Sequence, residues 1–196
     1  MSRLFLLVPL FLACPVAAQD GPSFDCSRAG STVETLICAD PALAALDRAV
    51  AAQYAAAQDA VASDPAGLDT LRAVQRGWIK GRDDCWKAAD LRACVEQSYL
   101  MREGELVALY LLDEASAVVT WTCDGNLANE VVTWFFETTL PSVRFERGDS
   151  VDAGHVAISG SGARYEGSFG REIWIKGDEA LYTEPDGTQL SCVANG

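Results

Sequence analysis

Histidine occurs once in the 196 residues, at position 155. A Ser-His-Asp relay needs a histidine held between a nucleophile and a carboxylate, and no G-x-S-x-G turn accompanies this one. His155 therefore reads as an ordinary strand residue. With one histidine and no C-x-x-C pair, neither a zinc ligand set nor a redox dithiol is in view. No dinucleotide or P-loop fingerprint occurs either, so no cofactor and no metal are expected. Basic residues are scarce too. There are 15 Lys and Arg against 28 Asp and Glu, a formal charge of −13. Such a chain cannot bind nucleic acid by neutralising phosphates. It is attracted instead to basic partners, or uses its charge for solubility. Carboxylates are abundant enough for a glycosidase pair, yet nothing in their spacing marks out two of them.

Long apolar runs are missing as well. The run from Leu4 to Ala13 is about half the length a membrane helix needs. Preceded by Arg3 and followed by Val16-Ala17-Ala18, it has the form of a secretory leader over residues 1–18. Cleavage after Ala18 would yield a soluble periplasmic or secreted protein. Loss of Arg3 would then take the charge from −13 to −14. The alternative is a lipid anchor on Cys14, but Phe11-Leu12-Ala13 makes a poor lipobox and Pro15 follows.

Beyond the leader, cysteines stand at 26, 38, 85, 94, 123 and 192. An exported chain makes disulfides their default fate, although cysteine number alone leaves the connectivity open. Their order suggests that neighbours pair within each half of the chain: Cys26–Cys38, Cys85–Cys94 and Cys123–Cys192. The two short loops would each contribute about 2–3 kcal/mol and the long one about 4 kcal/mol under a chain-entropy model.

Organisation follows from periodicity. Ser31-Thr-Val-Glu34 has capping-box form and opens a short helix through Ile37. Asp40-Pro41 starts the next helix, with Leu43, Leu46, Val50 and Tyr54 as one apolar stripe. Ser63-Asp-Pro-Ala-Gly67 breaks it. A third helix from about Leu68 carries Leu71, Val74 and Trp78 and ends near Gly81–Cys85. The last starts near Asp90 and carries Leu91, Val95, Tyr99 and Leu106. These stripes read as core. Residues 112–116 form a polar linker, and beyond them the pattern is β: 118–123, 131–138, 143–146, 155–159, 173–176, 180–182 and 190–193. Turn signals between about eight short strands indicate a small antiparallel barrel or sandwich.

Chemistry concentrates between Ser159 and Ala180. Two glycines flank Ser161, and after Arg164 and Tyr165 a loop with Gly167 and Gly170 leads into a strand. That strand ends on Lys176, immediately before the hairpin pair Gly177-Asp178. A hydroxyl and an ammonium are thus carried on short glycine-bounded turns. Alternation places Ile173 and Ile175 on one face of the strand and Trp174 and Lys176 on the other, leaving open which face is buried.

GSGARY followed by WIKGDEA, with WTCDGN before and a closing cysteine after, resembles the MliC/PliC family of periplasmic or membrane-bound inhibitors of c-type lysozyme. Gly160 and Trp121 depart from its usual alanine-like residue and tyrosine. The segments FDCSRAGSTVETLICADPALAALD, LRAVQRGWIKGRDDC and LRACVEQSYLMREGEL resemble the LprI-type helical domain of exported bacterial proteins. The resemblance implies an α+β two-domain chain. Its parts would be a leader (1–18), a disulfide-stapled helical bundle (19–112), a linker (113–117) and a small antiparallel β-barrel of about eight strands (118–196). It further implies a non-enzymatic protein whose partner is c-type lysozyme. Ser161 and Lys176 would enter the lysozyme cleft, with Gly162, Arg164 and Tyr165 around them. A cell-envelope interaction module without inhibitory activity is the alternative, and a carbohydrate-active enzyme a more distant one.

Overall fold

Local capping signals set the helical half. In the computed structural model, which describes residues 21–195, Ser31 caps α1 (Thr32–Ala39) reciprocally. Its hydroxyl accepts the Glu34 amide at 3.0 Å, and the Glu34 carboxylate accepts the Ser31 amide at 3.2 Å. Asp40 caps α2 (Pro41–Ala60) by accepting the Ala42 and Leu43 amides, with Pro41 in the first turn. α3 (Pro65–Asp83) begins at Pro65 rather than Leu68. Asp64-Pro65 repeats the Asp40-Pro41 sequence with Pro in the first turn, although the Asp64 side chain makes no capping hydrogen bond, so the Pro-Ala-Gly run that resembles a break is the helix's first turn. Asp90 caps α4 (Leu91–Tyr110). The leader, its cleavage point and Cys14 lie outside the described residues.

The stripes converge on one core. Leu43, Val50, Leu71, Val95, Tyr99 and Leu106 are buried, with Leu46, Tyr54 and Trp78 packed around them. Val74 departs from the expected stripe and is 42% exposed, at the edge of the narrow face that α3 presents. Inside this core lies a polar network. Tyr99 donates to the Asp47 carboxylate at 2.8 Å and accepts from Arg82 at 2.8 Å, and the Ser23 amide donates to the other Asp47 oxygen at 2.6 Å. Cys26–Cys38 and Cys85–Cys94 are bridged, the first tying the N-terminal segment to α1 and the second pinning the α3–α4 turn.

From Ala117 the chain forms a closed antiparallel barrel in which each strand pairs with the next: β1 (Ala117–Cys123), β2 (Glu130–Phe136), β3 (Ser142–Arg147), β4 (Ser150–Ala157), β5 (Ala163–Glu166), β6 (Glu172–Lys176), β7 (Glu179–Thr183) and β8 (Gln189–Ala194). β8 returns to β1 with Cys123 opposite Cys192, and these two are disulfide-bonded. Closure removes the exposed edges that an open sheet would have to protect.

Two strands differ from the sequence expectation. Residues 163–166 were expected to lead into a loop and form a strand, and β4 begins at Ser150 rather than His155. Gly154 explains the second difference. A Cβ at this glycine would overlap the Glu166 carbonyl and lie 2.8 Å from the Phe145 ring, so it permits a close approach of β5 rather than a turn.

The barrel interior holds Trp121, Val131, Val143, Phe145, Ile173, Tyr182 and Leu190, with Ile175 packed against them. The open question about β6 is thereby settled: its isoleucines face inward and Trp174 and Lys176 face out. The Trp121 indole donates to Thr133 at 2.9 Å, so this large side chain is accommodated in the core without an orphaned N–H.

The halves share a second, smaller core. Val107 and Ala108 of α4 pack on Phe136, with Leu112, Ala115, Trp134 and Ala153 around them. Gly104 allows this approach, since a Cβ there would lie 2.8 Å from that of Ser142. Arg144 of β3 donates to the Leu109 carbonyl at 2.7 Å, capping the helix terminus with a charge of the favourable sign. The connecting segment is held as well, the Ser116 amide donating to the Phe135 carbonyl at 2.8 Å.

His155 faces a groove of about 280 Å³ between α4 and the barrel, beside Met101, Glu105, Leu109 and Glu166. Burial pushes its imidazole below the usual 6.5, and Glu166 offsets part of this. The folded state then takes up the proton less readily than the unfolded chain. Stability from the neutral ring is present above the unfolded value and is lost as pH falls through the folded one. Cooling of the melting temperature between about pH 7 and about pH 5 should therefore be smaller in His155→Gln than in the parent. Parallel pH curves for the two would show that the imidazole plays no part.

Candidate functional site

Ser161 lies in the 158–162 loop between β4 and β5, and Lys176 ends β6 just before a two-residue hairpin. β5 and β6 pair with Ala163 opposite Ile175 and Arg164 opposite Trp174, which brings that loop against the last residues of β6. Gly162 makes the approach possible. Its φ is 70°, and a Cβ there would overlap the Ile175 carbonyl and lie 3.0 Å from Lys176 Cγ. The Ser161 carbonyl accepts the Trp174 indole N–H at 2.7 Å and the Ser159 hydroxyl at 2.6 Å, which fixes the loop. Gly177, at φ 64°, takes the first position of the hairpin turn, where a type II′ turn requires glycine.

The two polar tips are uncommitted. Among the described residues the Ser161 hydroxyl has no hydrogen bond and Lys176 has no ion pair. Lys176 stands directly opposite Glu179 across the hairpin, yet its ammonium lies 3.7 Å from the centroid of the Trp174 ring. Beside it, Trp174, Leu181, Ser191 and Val193 line a shallow depression of about 470 Å³.

The other expected site residues divide. Arg164 faces the same way as Trp174 but is already paired, donating to Glu172 at 2.8 and 2.5 Å and meeting Glu166 at 2.8 Å. The hydrogen bond to Glu172, more than the charge of Glu166, raises its affinity for the proton above the ordinary value. Tyr165 points the opposite way. It packs on Phe135 at 5.2 Å between ring centroids, as part of the barrel core, and burial pushes its hydroxyl pKa up with Glu137 adding to the effect. Ser161, Gly162, Arg164 and Lys176 thus share one outer corner, while Tyr165 supports it from within.

Sequence reasoning did not single out Trp174 or Glu172. Period-two alternation carried the signal for both, since each lies on the outer face of β6 with Lys176. Among the described residues no cluster of three or more His, Cys, Asp or Glu side chains could hold a metal ion.

The barrel, from residue 121 to 191, matches the family described as membrane-bound lysozyme-inhibitor of c-type lysozyme. Residues 25–90 of the helical half match the family described as lysozyme inhibitor LprI. By class, then, this is a tandem of two lysozyme-inhibitor family domains. The chain is 36% identical over 160 residues to a protein named lipoprotein LprI from Mycobacterium bovis, covering 79% of this chain and 75% of the relative. Proteins of that name from two Mycobacterium tuberculosis strains match to the same extent. The chain belongs to the LprI family. No solved structure shows a significant match.

Proposed function

We propose that this protein is a non-catalytic inhibitor of c-type lysozyme that occupies the enzyme's cleft with the Ser161–Lys176 corner of its barrel. The observation that carries the reading is an exposed lysine with no ion-pair partner among the described residues, fixed beside a serine hydroxyl with no hydrogen bond among them, on a barrel matching an inhibitor family. A retaining lysozyme works with two carboxyl groups about 5 Å apart. An ammonium between them is attracted to both, and a hydroxyl can hydrogen-bond to one. Lys176 must shed water to enter, and close pairing has to offset that loss.

The chain's formal charge of −13 would draw it toward a basic enzyme. The full-length mature chain should inhibit a c-type lysozyme, with association slowing as salt rises from low to physiological and dissociation changing less. Absence of inhibition at micromolar concentration would leave the cell-envelope interaction module as the better reading.

We further propose export, with cleavage after Ala18. Because the relatives are named lipoproteins, Cys14 is the residue to check. The intact mass of the exported chain, beginning at Gln19 or carrying lipid on Cys14, decides between them.

A further inference from the structure

We infer that Trp174 is the positioning residue of this corner, a single indole that holds both the serine loop and the lysine in place. Its edge and its face have separate tasks. The ring N–H donates to the Ser161 carbonyl at 2.7 Å, and the ring face lies under the Lys176 ammonium at 3.7 Å from its centroid. Trp174 and Lys176 are two residues apart on the outer face of β6, so the platform is built into the strand. Opposite Trp174 on β5, Arg164 is retained by Glu172 and Glu166 and so does not compete for the ring.

The geometry bears on how a lysine reaches a partner. A free lysine samples many rotamers, and fixing it on binding costs conformational entropy. Here the stem runs close to the Gly162 backbone and the head is held by the ring quadrupole, so much of that ordering exists before any partner arrives. The ammonium lies over the ring and forms no ion pair with Glu179 across the hairpin, which leaves its charge available to an incoming carboxylate. The inference about binding rests on the inhibitor reading above. The ring geometry itself belongs to the free protein.

Two variants of the full chain separate the ring's tasks. Trp174→Phe keeps an aromatic face and loses the N–H, whereas Trp174→Leu loses both. In the free protein, the ring-current shift of the Lys176 ε-methylene signals should be retained in part in Trp174→Phe and vanish in Trp174→Leu. Residues 159–162 should gain fast backbone motion in both. Lysozyme affinity should fall about 3- to 10-fold for Trp174→Phe and about 10- to 30-fold for Trp174→Leu. Adding Trp174→Leu to Lys176→Ala should cost only about the 3- to 10-fold of Trp174→Phe, because the part that acts through the lysine is already gone while the tie to the Ser161 carbonyl is still lost.

If the parent inhibits and Trp174→Leu inhibits equally well, the positioning role fails while the inhibitor reading stands. If the parent does not bind but the ring-current shift disappears in Trp174→Leu, the inhibitor reading fails and the positioning geometry stands. Full additivity with Lys176→Ala would make Trp174 a direct contact of the partner and overturn the inference.

Discussion

Replacing Lys176 with alanine should weaken inhibition of c-type lysozyme by about 2–5 kcal/mol, tens- to thousands-fold in affinity. The lost ammonium would leave two carboxyl groups of the enzyme facing a partly dried gap, so the expected loss exceeds the net worth of the pair. Ser161→Ala should cost less, about 1.5–3 kcal/mol, the range for a hydrogen bond to a charged acceptor. The two losses should not simply add, since both side chains would serve one site. Neither change should disturb the fold. Lys176 is exposed and has no ion pair among the described residues, and alanine at 161 retains the carbonyl that accepts the Trp174 N–H. Inhibition constants for the parent, both single variants and the double variant, with melting temperatures alongside, complete the test. A folded double variant that inhibits as tightly as the parent would remove the Ser161–Lys176 corner from the mechanism.

The parts of this architecture readable from sequence are those fixed within a few residues of chain. Ser31 and Glu34 form a reciprocal cap because the helix turn itself brings position three back to the cap, and both partners lie inside that turn. Strand β5 was harder. Ala-Arg-Tyr-Glu has no β-branched residue and is bounded by glycines, so its identity as a strand comes from pairing with β4 and β6 rather than from its own composition. The inward direction of Tyr165 has the same origin. Once β5 is a strand, alternation with the outward Arg164 sends it into the core. The tie from Trp174 to Ser161 depends on how the 158–162 loop closes, which no local pattern encodes.

The buried network of the helical half was closer to legible. Asp47 sits four residues after Leu43 and three before Val50, on the apolar stripe itself, where an ionisable residue needs a partner. Its partners, Arg82 and Tyr99, come from α3 and α4, so the position could be flagged but not completed.

That network supports the second large expected effect: Asp47→Ala should destabilise the chain by about 3–5 kcal/mol. Asp47 is 6% exposed, Arg82 5% and Tyr99 fully buried, so water cannot easily take over the role of the lost carboxylate. Burial is the largest influence on the Tyr99 hydroxyl and pushes its pKa well above the usual 10. The phenol therefore stays protonated, donating to Asp47 while it accepts from Arg82. Removing the carboxylate leaves the Tyr99 hydroxyl without its acceptor and the Ser23 amide without a side-chain partner. Among the described residues Arg82 keeps only Asp83 as a counter-charge, at 2.8 Å. Asp47→Asn retains a hydrogen-bond acceptor and should cost less than alanine. Urea midpoints at unchanged m-value measure both. Because every member of the network lies in the helical half, the protein that remains folded should still inhibit lysozyme through the barrel corner. A loss below about 1 kcal/mol, the size expected of an exposed ion pair, would mean that the helical core tolerates the loss of this carboxylate and does not depend on this network.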